Sequence, residues 1–163
     1  MKHLKYFKIF ESLDYDDFTG DIEDLTKEEI ETLEDLLLYT DSDFTLDSFI
    51  QALNDIKKND KIKLYRLIWI KDKKDIDVKR LGNHYVSSLD SFDDNWIKNL
   101  YPFYHKDGEP DIKNDLWLVT ILAPTKDIDC KATLVKNIKF PYEEEIQLKT
   151  DLNIEVFEIS KYY

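Results

Sequence analysis

A chain of 163 residues has the size of one domain, and its 35 acidic against 23 basic side chains leave a net charge of −12. That charge repels nucleic-acid backbones and anionic membranes, so direct nucleic-acid binding and membrane association are not expected. Hydrophobic residues at 42% and aromatics at 13% supply a core and exclude wholesale disorder, while the single Cys130 excludes an internal disulfide and a cysteine-built metal cluster.

No apolar run approaches the roughly 20 residues that a spanning helix needs. Residues 1–13 form an amphipathic arm in which Lys2, Lys5 and Lys8 alternate with Leu4, Tyr6, Phe7, Ile9 and Phe10. The arm lacks the continuous apolar core of a secretory signal, so a reducing cytoplasm is the expected setting. Residues 14–60 read as an acidic helical region. Its first part, 14–24, is loop-like. Thr26, with Glu29 three residues on, makes a capping box, and Ile30, Leu33, Leu36, Leu37 and Leu38 continue it as a helical stripe. Residues 40–43 break it. A second helix is expected over 46–58 with Phe49, Ile50, Leu53 and Ile56 inward. Two short helices bury little alone, so they must pack on the C-terminal sheet.

From residue 61 to 163 the pattern is β-rich. Residues 62–70 carry the clearest strand, dense in β-branched and aromatic side chains. Further strands are expected over 84–88, 116–122, 132–138, 145–148 and 154–159, with a helix over 93–99 and a loop over 101–115. The class is α+β, with N-terminal helices packed on the sheet.

Three anomalies carry chemistry. Along the first strand one face reads Ile62, Leu64, Arg66, Ile68, Ile70, so a guanidinium interrupts an apolar row. It needs a partner: either a carboxylate in a structural ion pair or a bound anion such as a phosphate. Gly82-Asn83-His84-Tyr85-Val86-Ser87-Ser88 puts imidazole, phenol and hydroxyl groups close together behind a glycine. It reads either as an ordinary edge strand after a turn or as the lining of a polar cleft, and His84 has no neighbouring histidine for a metal site. Glu143 and Glu145 stand two apart before the apolar Ile146 and Leu148, and on a strand they would share a side. They are either a solvated acidic turn or a pair of catalytic carboxylates.

Taken in order, these residues resemble the ADP-ribosyltransferase superfamily in its arginine–serine–glutamate branch. Tyr65-Arg66 looks like the first-strand arginine, Tyr85-Val86-Ser87-Ser88 stands where a Ser-Thr-Ser strand is found, and Glu143-Glu144-Glu145-Ile146-Gln147-Leu148 is similar to the Glu-x-Glu segment. The resemblance covers residues 62–159 and departs from the pattern at the middle element, where His84 stands beside Ser87 and Ser88. It implies a split, mostly antiparallel sheet with an NAD cleft between its halves, NAD as substrate, no metal, and a host protein as acceptor. Under it Glu145 stabilises the oxocarbenium-like ribose, Glu143 orients or deprotonates the acceptor, and Arg66 grips the phosphates or adjacent ribose. His84 does part of the middle element's work, Ser87 or Ser88 supports the glutamate-bearing strand, and Tyr85, or Trp69, stacks on nicotinamide.

A Rossmann domain or P-loop is a poor competitor, because Gly20, Gly82 and Gly108 are the only glycines and lie far apart. Cys130 reads as a small buried residue. Residues 5–12 resemble the head-targeting peptides of T-even-type phages, which are trimmed after an Ile/Leu-x-Glu triplet, here Ile9-Phe10-Glu11. That resemblance implies a phage-encoded protein packaged in the virion and delivered to the host cytoplasm. The competing function is a non-enzymatic acidic phage protein that mimics DNA or inhibits a host factor.

Overall fold

The computed structural model describes residues 18–40, 43–92, 97, 115–141 and 143–163. The arm at 1–13, the helix expected over 93–99 apart from Ile97, and the loop over 101–114 lie outside them. The described chain is α+β, with helices packed on a five-stranded antiparallel sheet.

Helix α1 spans Lys27–Thr40. Its capping box is reciprocal: the Thr26 amide donates to Glu29 Oε2 at 2.8 Å, and the Glu29 amide donates to Thr26 Oγ1 at 3.2 Å. Leu33 and Leu36 are fully buried, whereas Leu38 ends the stripe pointing outward, 67% exposed. Helix α2 spans Leu46–Lys57, capped by Thr45, whose side chain accepts from the Ser48 amide. Leu53 is its deepest residue, with Phe49, Ile50 and Ile56 packed beside it.

Strand β1 is Lys61–Trp69, β2 is His84–Val86, and β3 is Leu116–Pro124. Strand β4 is Glu145–Gln147 and β5 is Val156–Lys161. Their order in the sheet is β4-β2-β1-β3-β5, every neighbouring pair antiparallel. Strands β1 and β3 pair along their whole length, from Lys61 with Pro124 to Trp69 with Leu116. Strands β1 and β2 pair only at Tyr65 with Val86. The β4-β2 and β1-β3-β5 portions are therefore joined in the β-ladder by a single residue pair.

Both faces of β1 are covered. Ile62, Leu64 and Ile68 join the main cluster with Leu33, Leu36, Leu53 and Tyr85. Tyr65, Leu67 and Trp69 join a second cluster with Phe92, Ile97, Leu116 and Tyr162. One hydrophobic cluster thus runs through the acidic helical region and the sheet alike. Among the described residues no helix is long and apolar enough to cross a membrane.

The strand expected over 132–138 is instead helix α3, Cys130–Lys139. Asp129 caps it, accepting from the Ala132 amide at 3.1 Å. Seven of its ten residues are buried, because α1, α2 and β4 all pack on it. A helix covered on several sides has no polar stripe, so its 3.6-residue period is lost, and Thr133, Val135 and Ile138 read as strand formers. Cys130 is buried at its start, and burial pushes its thiol up to about 12, which leaves it inert at neutral pH.

Helix α3 also closes the outer edge of β4. The Gln147 amide donates to Thr133 Oγ1 at 2.9 Å, and Asn137 Nδ2 donates to the Glu145 carbonyl at 3.0 Å. Thr133 and Asn137 are one helical turn apart and meet alternate residues of the strand. An exposed edge is thereby satisfied from within the chain. Replacing the fully buried Leu134 by alanine is expected to lower unfolding free energy by about 2–5 kcal/mol in urea denaturation, and Leu38→Ala by less than about 0.5 kcal/mol.

Candidate functional site

The three segments singled out in the sequence fall on consecutive strands, β1, β2 and β4. Beyond the Tyr65–Val86 pair, where pairing between β1 and β2 stops, the Arg66 guanidinium reaches across. Its Nη1 donates to the His84 carbonyl at 3.0 Å, and its carbon lies 5.9 Å from the centre of the Tyr85 ring. Among the described residues Arg66 meets no carboxylate, although the chain carries 35 acids. The structural ion pair that the sequence allowed does not form among them.

Gly82 makes room for this guanidinium. Its φ of +72° favours glycine, and a Cβ there would stand 3.2 Å from Arg66 Nη1. Tyr85 closes the same corner, its hydroxyl donating to the Gly82 carbonyl at 3.1 Å. Only 2% of Tyr85 is exposed, so the ring supports Arg66 and leaves no open face for a nicotinamide. Trp69 belongs to the second cluster, on the other face of β1 from Arg66.

His84 links the two ends of the constellation. Its carbonyl takes the Arg66 bond, and its Nδ1 lies 2.7 Å from Glu145 Oε1. Arg66 and Glu145 have no direct bond. The second oxygen of Glu145 lies 3.1 Å from Lys136 Nζ on α3. The Glu145 side chain is 12% exposed and that of Lys136 16%, while His84 at 42% faces solvent. Burial alone would raise the Glu145 carboxyl. The His84 hydrogen bond and the charge and hydrogen bond of Lys136 outweigh it and hold the group below its ordinary value.

Glu143 does not share a strand with Glu145, because β4 starts at Glu145 and Glu144 takes a positive φ of 47° between them. The same-side relation expected from strand alternation is lost at this turn. The two carboxylates still sense each other. Burial, then the Glu145 charge, raises the Glu143 carboxyl, with Lys136 acting against them. The left-handed residue costs about 1–2 kcal/mol in a non-glycine side chain. It presents the Glu144 carbonyl to both the Ser87 amide at 3.2 Å and the Ser87 hydroxyl at 3.3 Å. Of Ser87 and Ser88, it is Ser87 whose hydroxyl bonds the glutamate-bearing segment, and the Ser91 hydroxyl donates to Glu144 Oε2 at 3.4 Å. Ser88 instead caps the short 3-10 helix Leu89–Ser91, accepting from the Asp90 amide at 3.2 Å.

Thr133, Lys136 and Asn137 do not stand out in the sequence, since their segment reads as a strand. On a helix they share one face, and Asp129 as an N-cap is the signal that points to it. Chemically, the arrangement offers a fixed, ionised carboxylate, a second carboxyl biased toward its protonated form, a solvent-facing imidazole and a guanidinium that meets no carboxylate among the described residues.

A carboxylate whose folded value is depressed adds stability above its unfolded value and loses it as pH falls through the folded one. Glu143 has the opposite sign, adding stability in acid that is lost as pH rises through its raised value. Glu145→Gln is expected to cost about 1–3 kcal/mol at neutral pH, measured in urea, by leaving Lys136 and His84 without their acceptor. That difference from wild type is expected to shrink as pH falls below about 4. A gap unchanged in acid would show that Glu145 is not a stabilised carboxylate. Comparison of the chain with family models, with curated proteins and with solved structures finds no match.

Proposed function

We propose that this protein is an NAD-dependent mono-ADP-ribosyltransferase of the arginine–serine–glutamate kind, phage-encoded and acting on a host protein. The observation that carries the reading is the run of contacts across three adjacent strands. Arg66 of β1 bonds the His84 carbonyl of β2, and the His84 ring bonds Glu145 of β4. The β1–β2 ladder holds a single residue pair, and the split-sheet, ADP-ribosyltransferase-like reading puts its division at that joint.

Each group has a chemical part. The Arg66 guanidinium binds the pyrophosphate of NAD, for which a planar fork of donors that meets no carboxylate among the described residues is suited. The ribose–nicotinamide bond breaks, its electron pair leaves with nicotinamide, and positive charge develops on the ribose. Glu145, ionised and fixed, stabilises that charge electrostatically. An acceptor nucleophile then forms the new bond to the ribose carbon, and Glu143 takes the proton it loses. His84 and Ser87 hold the two ends of the glutamate-bearing segment in place.

Purified protein incubated with adenylate-labelled NAD and a bacterial lysate is expected to transfer label to lysate protein. Glu145→Gln, checked for retained fold by circular dichroism, is expected to lose at least about 100-fold of that activity, as removal of a group that stabilises developing charge does. Transfer by the variant at the wild-type rate would remove Glu145 from the mechanism. Absence of both NAD turnover and NAD binding in the wild type would overturn the enzyme reading in favour of an acidic binding protein.

A further inference from the structure

We infer that Lys136 is a positioning residue that fixes the Glu145 carboxylate and keeps it ionised; this rests on the proposed transferase reading. Helix α3 meets β4 with one face. Thr133 holds the Gln147 amide, Asn137 holds the Glu145 carbonyl, and Lys136 holds Glu145 Oε2 at 3.1 Å. The first two contacts fix the strand's backbone. The third fixes the side chain, against the pull of His84 on the other oxygen at 2.7 Å. With both oxygens held, the carboxylate has one orientation.

The same geometry sets the electrostatics. Among the described residues, the charged or titratable groups acting on Glu145 are His84 from β2, Lys136 from α3 and Glu143 from the preceding turn. Two carboxyls near one another do not ionise equally, and an ammonium in contact with one of them favours its charged form. Lys136 bonds Glu145 directly, so Glu145 is the one that stays charged. Glu143 is raised first by its own burial and then by the Glu145 charge, with Lys136 acting against both. An uncharged residue at 136 would remove the ammonium's contribution while leaving the His84, Thr133 and Asn137 contacts in place.

Two measurements on the full chain separate this role from simple stability. In the first, the Glu145 carboxyl carbon is tracked by NMR titration in wild type, Lys136→Met and Lys136→Arg. Lys136→Met is expected to raise its midpoint by about one pH unit or more, and Lys136→Arg to restore it. In the second, NAD turnover is recorded against pH. Lys136→Met is expected to move the acidic limb upward by a similar amount and to lower kcat with little change in KM, and Lys136→Arg to recover the profile. A Glu145 midpoint unmoved by Lys136→Met would overturn the role of Lys136, as would turnover with an unchanged acidic limb. A midpoint that moves while wild type turns over no NAD would overturn the transferase reading and leave the positioning contact standing.

Discussion

A carboxylate buried at the rim of a sheet must be met by donors, and Glu145 is met on both oxygens, by His84 and by Lys136. Breaking one side of such an arrangement leaves a charge in a place that water reaches poorly, so the surrounding elements are tied to each other through it. Strand β2 supplies the imidazole, α3 supplies the ammonium, and β4 carries the carboxylate between them. The same helix satisfies the backbone of β4 through Thr133 and Asn137. A strand of three residues is short, and this lateral support is what fixes it at the sheet's edge.

The other side of β2 is organised by absence of pairing. The ladder with β1 stops after Tyr65 and Val86, and the Arg66 side chain takes a backbone acceptor on β2. Gly82 is held to glycine by its positive φ and by the nearness of the guanidinium, and Tyr85 is drawn inward to cover the same group. His84 alone faces both ways, with its carbonyl toward Arg66 and its ring toward Glu145. The proposed chemistry assigns phosphate recognition and charge stabilisation to these two ends.

How much of this is legible in the sequence depends on how local the signal is. The capping box of α1 is readable because Thr26 and Glu29 satisfy each other's amides within one turn. Strand β1 is readable from its β-branched and aromatic residues even though it is covered on both faces. Helix α3 is not, because burial on several sides removes the polar stripe that reveals a helix. That single misreading hides Lys136, Thr133 and Asn137, which carry the helix's contacts to β4. Arg66, His84 and Glu145 stand out as polar groups in apolar runs. The bend at Glu144 is not foreseeable, since a glutamate rarely adopts positive φ and nothing local demands it. Its partner, Ser87, lies 57 residues away in sequence.

The most direct test of NAD recognition at the β1–β2 junction is to titrate NAD into isotope-labelled protein and map the backbone amide shifts. Changes are expected to concentrate on Arg66, His84, Ser87 and Glu145 and on their immediate neighbours in β1, β2 and β4, and to vanish in Arg66→Ala. Saturating NAD that perturbs none of these amides, or perturbs only residues distant from the junction, would contradict the proposed site.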